Sequence, residues 1–251
     1  MSLKYPGGFI TKSPVAPTGP YETSVAKGVW TLDQAMQLKK QGLWPTAGNI
    51  APPSVIGEAY GGGFYAGQIG VSSVATHYLI VGPISSAENS SITWKNANTV
   101  TPGADSAIDG PQNTADMVAD GNATVYPCAH FCNDLVIGGF SDWYMPAKNE
   151  VEICYFNLKP TTGSNVTTTG ANPNAVPARA SNYTSGTPAQ TSATAFVTST
   201  GAQAFGSVSY WCSTESTSTS AYTKYFPNGG NYFTRYKNNA YRVRAIRRVP
   251  V

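Results

Sequence analysis

Cysteine, histidine, arginine and aromatic residues are the chemically capable side chains of this 251-residue chain. Cys128-x-His130-x-Cys132 has the composition of a metal ligand set. The segment around it reads as a helix beginning at Pro127, with Cys128, Phe131, Cys132 and Leu135 on one face. On a helix His130 points about 200° away from Cys128, so the three cannot converge on one ion. Core packing is the expectation for the two thiols. Gly61-Gly62-Gly63 lacks the Gly-Lys-Ser/Thr ending of a phosphate loop. His77 stands without a second histidine or carboxylate at metal spacing and is expected to be a hydrogen-bonded structural residue. Four arginines crowd Tyr241–Val249. They are expected to stack on the chain's own aromatics or to pair with Glu215, Glu150 or Asp142; an anionic ligand is the other use for such a strand.

These groups need elements to hold them. The stretch Gly138–Leu158 reads as a loop locked by Phe140, Trp143 and Tyr144 that feeds a helix from Pro146 to Asn157. Val151, Cys154, Tyr155 and Leu158 give that helix an apolar face. Glu150 and Glu152 suit its positive end. Phe64–Ile69 and Ala75–Gly82 read as strands, the second buried. Asn113–Ala119 reads as a helix ending at Gly121. Thr161–Gly206 is rich in Thr, Ser, Ala, Asn and Gly, and reads as a long insertion outside the core. Asn228-Gly229-Gly230-Asn231 is a turn signal between two strands. Tyr241–Val249 reads as one closing strand.

Composition narrows the class. Charged residues are 12% and the formal net charge is +3, so totals point to no nucleic-acid partner. Aromatic residues are 12%, enough to build a core, so disorder is not expected. No run of eighteen apolar residues exists to span a membrane, and the N-terminus lacks the apolar centre of a signal peptide. Synthesis in a cytoplasm and buried free thiols at Cys128, Cys132, Cys154 and Cys212 are therefore expected. Residues 1–29 are rich in Pro and Gly and read as an extended arm. A short helix follows, with Thr31 and Gln34 as a capping box, Leu32, Ala35, Met36 and Leu43 as a partial apolar face, Gly42 closing it and Trp44-Pro45 stopping it. Pro52-Pro53 marks a boundary between residues 1–52 and 53–251.

Three ordered motifs carry a resemblance. GGFSDWYMPAKNEVEICYFNL, then YWCSTE, then YRVRAIRRV, resemble the C-type-lectin-like domain of phage and bacterial surface proteins, over roughly residues 53–251. That family is related in fold to the formylglycine-generating enzyme and to phage tropism determinants. Gly28–Pro45 resembles a shorter segment recurring in structural proteins of marine myovirus-like phages. The resemblance implies an α+β fold: a small twisted antiparallel sheet, two flanking helices and long loops, here preceded by the extended arm. Cys212 departs from the family's common serine, but no second cysteine follows it to make the oxidase's copper-binding pair, so no enzyme activity is expected. No Glu-Pro-Asn or Gln-Pro-Asp ligand set lies in Ser213–Asn239, so no calcium, other metal or cofactor is expected.

The implied function is that of a virion surface protein, a tail fibre or tip adhesin, binding a host-surface carbohydrate or protein. The alternative is a purely structural virion component, such as a decoration, collar or fibre-connecting protein. Residues 1–52 are expected to bind other virion proteins, and a homotrimer is expected by analogy with phage fibres. The segment displayed before the closing strand has a paratope's composition. Its contact residues are expected to be Tyr222, Asn228, Asn231, Tyr232, Tyr236 and Asn238.

Overall fold

A computed structural model of the chain describes residues 4–5, 8–9, 31, 33–34, 36–37 and 53–251. The chain divides into two units, Met1–Pro52 and Pro53–Val251. In the first, β1 (Lys4–Tyr5) pairs antiparallel with β2 (Gly8–Phe9), so the expected extended arm carries a local strand pair. The capping box forms as the residue types require: the Thr31 amide donates to Gln34 Oε1 at 3.0 Å, and the Gln34 amide donates to Thr31 Oγ1 at 3.2 Å. Asp33, Gln34, Met36 and Gln37 are helical, and Met36 is exposed. The rest of the expected arm, and Leu32, Ala35, Gly42, Leu43 and Trp44-Pro45, lie outside the described residues.

The second unit is α+β. Its strands are β3 (Ala59–Tyr60), β4 (Gly63–Val71), β5 (Val74–Val81), β6 (Glu88–Thr93), β7 (Ser209–Thr217), β8 (Ser220–Tyr225), β9 (Gly230–Tyr236), β10 (Ala240–Arg244) and β11 (Ile246–Pro250). Its helices are α1 (Ile84–Ala87), α2 (Gly110–Asp120), α3 (Pro127–Asn133) and α4 (Lys148–Leu158). The expected single small sheet is instead two: one in the order β6-β10-β7-β8-β9 and one in the order β11-β5-β4-β3. All pairings in them are antiparallel except β10 with β7.

The closing strand joins the two sheets. Tyr241–Val249 is not one strand: it breaks at Ala245 into β10 and β11. The reason is where the Ala245 backbone bonds. Its amide donates to Ala87 O at 2.8 Å and its carbonyl accepts from the Gly82 amide at 3.0 Å. β10 therefore pairs with β6 and β7, while β11 pairs with β5 from Ile246↔Val81 to Pro250↔His77.

Burial follows the apolar pattern where elements are regular. Only the second half of β5 is buried, Tyr78–Val81. α2 starts at Gly110, three residues before the expected Asn113, because the Asp109 side chain caps it by accepting from the Gln112 amide and Pro111 fits the first turn. α4 starts at Lys148, two residues after Pro146. Trp143 and Trp211 are both buried, their indole N–H groups donating to Phe140 O and Ile92 O. The four cysteines are free and buried. Thr161–Gly206 corrects its expectation. Apart from one 3-10 turn, Thr194–Phe196, it is irregular, yet Ala175, Tyr183, Phe196 and Phe205 are core residues.

Candidate functional site

The expected contact surface is the β8–β9 hairpin. Gly229 turns the chain with φ +72°, and a Cβ there would lie 2.3 Å from Tyr155 Cε1, so only glycine fits. Asn228 Oδ1 accepts from the Gly230 amide at 3.1 Å. The register then sorts the side chains, since directly opposed residues share a face. Lys224↔Asn231 and Ser220↔Tyr236 lie on one face, whereas Thr223↔Tyr232 lies on the other. A bulge in β9 between Tyr232 and Arg235 puts Tyr232 and Tyr236, four residues apart, on opposite faces.

The six expected residues thus divide. Tyr222 is half-buried, with Lys148 Nζ 4.5 Å from its ring centre. Asn228 and Asn231 are half-buried, and Asn228 spends its side-chain oxygen on the turn. Tyr232 is 36% exposed and lies beneath Arg235, 4.6 Å away. Tyr236 and Asn238 are exposed. The most open aromatic of the hairpin is Phe233, 58% exposed against 55% for Tyr236. The bulge that brings it outward leaves no sign in local sequence. β9 is also the edge strand of its sheet.

The end of the hairpin is held by a buried ammonium. Lys237 Nζ donates to Thr99 O at 2.7 Å, Ser218 O at 3.1 Å and Thr101 Oγ1 at 3.4 Å, and lies 2.9 Å from Glu215 Oε1. Glu215, one of the expected arginine partners, is thus taken by a lysine. The other two expected partners, Asp142 and Glu150, do take arginines of β11. Arg242 pairs with Glu88, Arg247 makes two bonds to Asp142, and Arg248 pairs with Glu150. Arg244 donates to Gly82 O and Gln203 O and lies 4.7 Å from the Phe205 ring centre.

Behind the hairpin, α4 carries two buried carboxylates. Glu150 accepts from Tyr144 OH at 2.5 Å, the Ala147 amide at 2.7 Å and Arg248 Nε at 2.7 Å. Burial raises its pKa, against the pull of Arg248. Glu152 accepts from Tyr183 OH and Asn172 Nδ2, each at 2.5 Å, and pairs with Arg179. Lys224 Nζ donates to Tyr183 OH at 3.2 Å, and burial lowers its pKa to about 8. From sequence, Glu150 is expected both at the helix end and with an arginine, whereas Glu152 is placed at the helix end alone, because Asn172, Arg179 and Tyr183 are remote in the chain.

The thiols are poor nucleophiles. Burial pushes Cys212 up to about 12 and the other three higher still, and the thiolate is the reactive form. His130 does not join Cys128 and Cys132: its Nε2 lies 2.8 Å from Gly121 O. His77 Nδ1 lies 3.0 Å from Thr76 Oγ1. Among the described residues, no three His, Cys, Asp or Glu side chains are grouped to hold a metal ion. No described helix is long and apolar enough to cross a membrane.

One open cleft of about 490 Å³ lies between β5, β11, α2, the end of α3 and the loop leading to Tyr144. Its polar lining includes His77, Asp109, Asn133, Ser141, Asp142 and Arg248. No protein-family model, curated protein or solved structure matches the chain.

Proposed function

We propose that residues 53–251 are a C-type-lectin-like display domain of a phage virion surface protein, a tail fibre or tip adhesin. The β8–β9 hairpin is its contact surface for a host carbohydrate or protein. The observation that supports this reading is the exposed aromatic pair Phe233 and Tyr236 on an edge strand. Aromatic side chains offer large contact area with few rotors, and isolated exposure of two of them beside polar Asn238 is the pattern of a paratope. A rigid base supports them through Lys237. Residues 1–52 attach the domain to other virion proteins, and the assembly is a trimer.

The test is adsorption of particles carrying Phe233→Ala, Tyr236→Ala or Tyr232→Ala. Because these side chains are exposed, melting should move by no more than about 0.5 kcal/mol equivalent. Adsorption should fall strongly for the first two. Wild-type adsorption in well-folded Phe233→Ala and Tyr236→Ala particles would remove the hairpin as the contact surface. It would leave the purely structural virion component as the reading. Native mass measurement with and without residues 1–52 tests the attachment: a trimer that persists without them sinks their part in assembly.

A further inference from the structure

The cleft beside Arg248 shares no residue with the hairpin, and its chemistry narrows what can enter it. Its volume, about 490 Å³, lies within the range of small-molecule sites. Two carboxylates stand at it half in solvent: the Asp109 side chain is 48% exposed and the Asp142 side chain 52%. Asp142 is fixed from behind by both nitrogens of the Arg247 fork. Arg248 is more deeply set, its side chain 17% exposed, with Nε bound to Glu150 and Nη1 4.0 Å from Asp109.

Each simple ligand class meets an obstacle. An anion faces Asp109 and Asp142. A cation faces the guanidinium of Arg248, which Glu150 holds in place. His77 adds no charge at neutral pH, because burial and Arg248 both lower its pKa. A wholly apolar ligand would strip water from these groups without replacing its hydrogen bonds. A hydroxyl avoids all three obstacles, since it donates to a carboxylate and accepts from a guanidinium or amide. Pro111, Ala115 and Pro250 supply aliphatic wall for the carbon skeleton.

We propose that this cleft is a second binding site, for a neutral, hydroxyl-rich small molecule of the saccharide class. Asp109 and Asp142 accept from its hydroxyls, while Arg248, Asn133 and Ser141 donate to them. This does not depend on the hairpin reading.

The test is saturation-transfer NMR on the full chain with glucose, galactose and N-acetylglucosamine, each at millimolar concentration. Ala115 and Ser141 are exposed positions of the lining. Ala115→Trp and Ser141→Trp therefore place a ring in the cleft without entering the core. Wild type should show transfer to at least one sugar, and both tryptophan variants should weaken it about tenfold, as for a loss of about 1.4 kcal/mol in binding. The Phe233→Ala/Tyr236→Ala double variant should retain it. Amide shift mapping on the wild type gives an answer without any variant: shifts should gather at His77, Ala115 and Ser141. No transfer from any of the three sugars, transfer unaltered by both tryptophans, or shifts confined to the hairpin would each overturn the proposal.

Discussion

The surroundings of α4 and the β8–β9 hairpin draw on the same residue types and use them in opposite ways. Around α4, Tyr144 and Tyr183 point inward and give their hydroxyl protons to Glu150 and Glu152. On β9, Tyr236 points outward and finds solvent. The α4 network closes on itself through arginine, asparagine and backbone donors. The hairpin does not: of three buried side-chain polar atoms without a partner among the described residues, two, Thr223 Oγ1 and Arg235 Nε, belong to it. Residue type alone does not decide whether a tyrosine is a strut or a contact. What decides is whether a long-range partner arrives to satisfy its hydroxyl.

The contrast breaks first where packing is densest. Trp143→Ala, in the loop feeding α4, should cost about 3–5 kcal/mol, the range for a buried large aromatic. Urea unfolding measures it, and a midpoint equal to wild type would contradict the burial argument. Glu152→Ala should cost about 3 kcal/mol, because it strands Tyr183 OH, Asn172 and Arg179 together. If Glu152→Ala unfolds like Tyr236→Ala, the two regions are not energetically distinct.

Lys224 sharpens the comparison through pH. It joins the two regions, standing on β8 and bonding Tyr183. Lys224→Met should be about 1 kcal/mol more stable than wild type at pH 7, since it removes a buried charge with no carboxylate bonded to it. The sign reverses the familiar lysine case. With the folded pKa lowered to about 8, the folded state releases its proton before the unfolded state does. Wild-type stability therefore gains on the variant from about pH 8 to the ordinary lysine value near 10.5. Burial raises the pKa of Tyr155 and Tyr183, which lowers stability above about pH 10, and because Lys224 touches both rings the difference is read below that pH. A flat difference between the two proteins across that window would remove the charge from the account. The smallest effect is expected at Thr223. Thr223→Val removes an orphaned hydroxyl at constant shape and should stabilise by up to about 1 kcal/mol. A loss of stability there would mean that the hydroxyl has a partner.

How much of this was legible in the sequence follows the same division. Local patterns were readable: the helix at Pro127, the hairpin turn at Asn228-Gly229 and the burial of Trp143 and Trp211 each follow from neighbouring residues. Long-range pairings were not. Tyr241–Val249 alternates well enough to read as one strand, yet Arg244, Ala245 and Ile246 are buried in succession because Ala245 bonds to Gly82 and Ala87. Thr161–Gly206 hid its core residues because Tyr183, Phe196 and Phe205 are single aromatics among small and polar residues, without any period to betray them. Of the contact candidates, Tyr236 and Asn238 could be read as exposed by composition, but a one-residue bulge decides between Tyr232 and Phe233.

The Lys237 ammonium bears on how the molecule answers to its medium. An ion held by the same oxygens of Thr99, Thr101, Glu215 and Ser218 would come and go with its concentration. A cation on a four-carbon tether is never diluted away, because its local concentration is set by the chain. The end of the hairpin thus keeps its fastening in fresh water, in brine and in the presence of a chelator alike. With the side chain wholly buried, the fastening is lost only by changing the residue itself, as in Lys237→Met, which keeps the carbon chain and removes the charge.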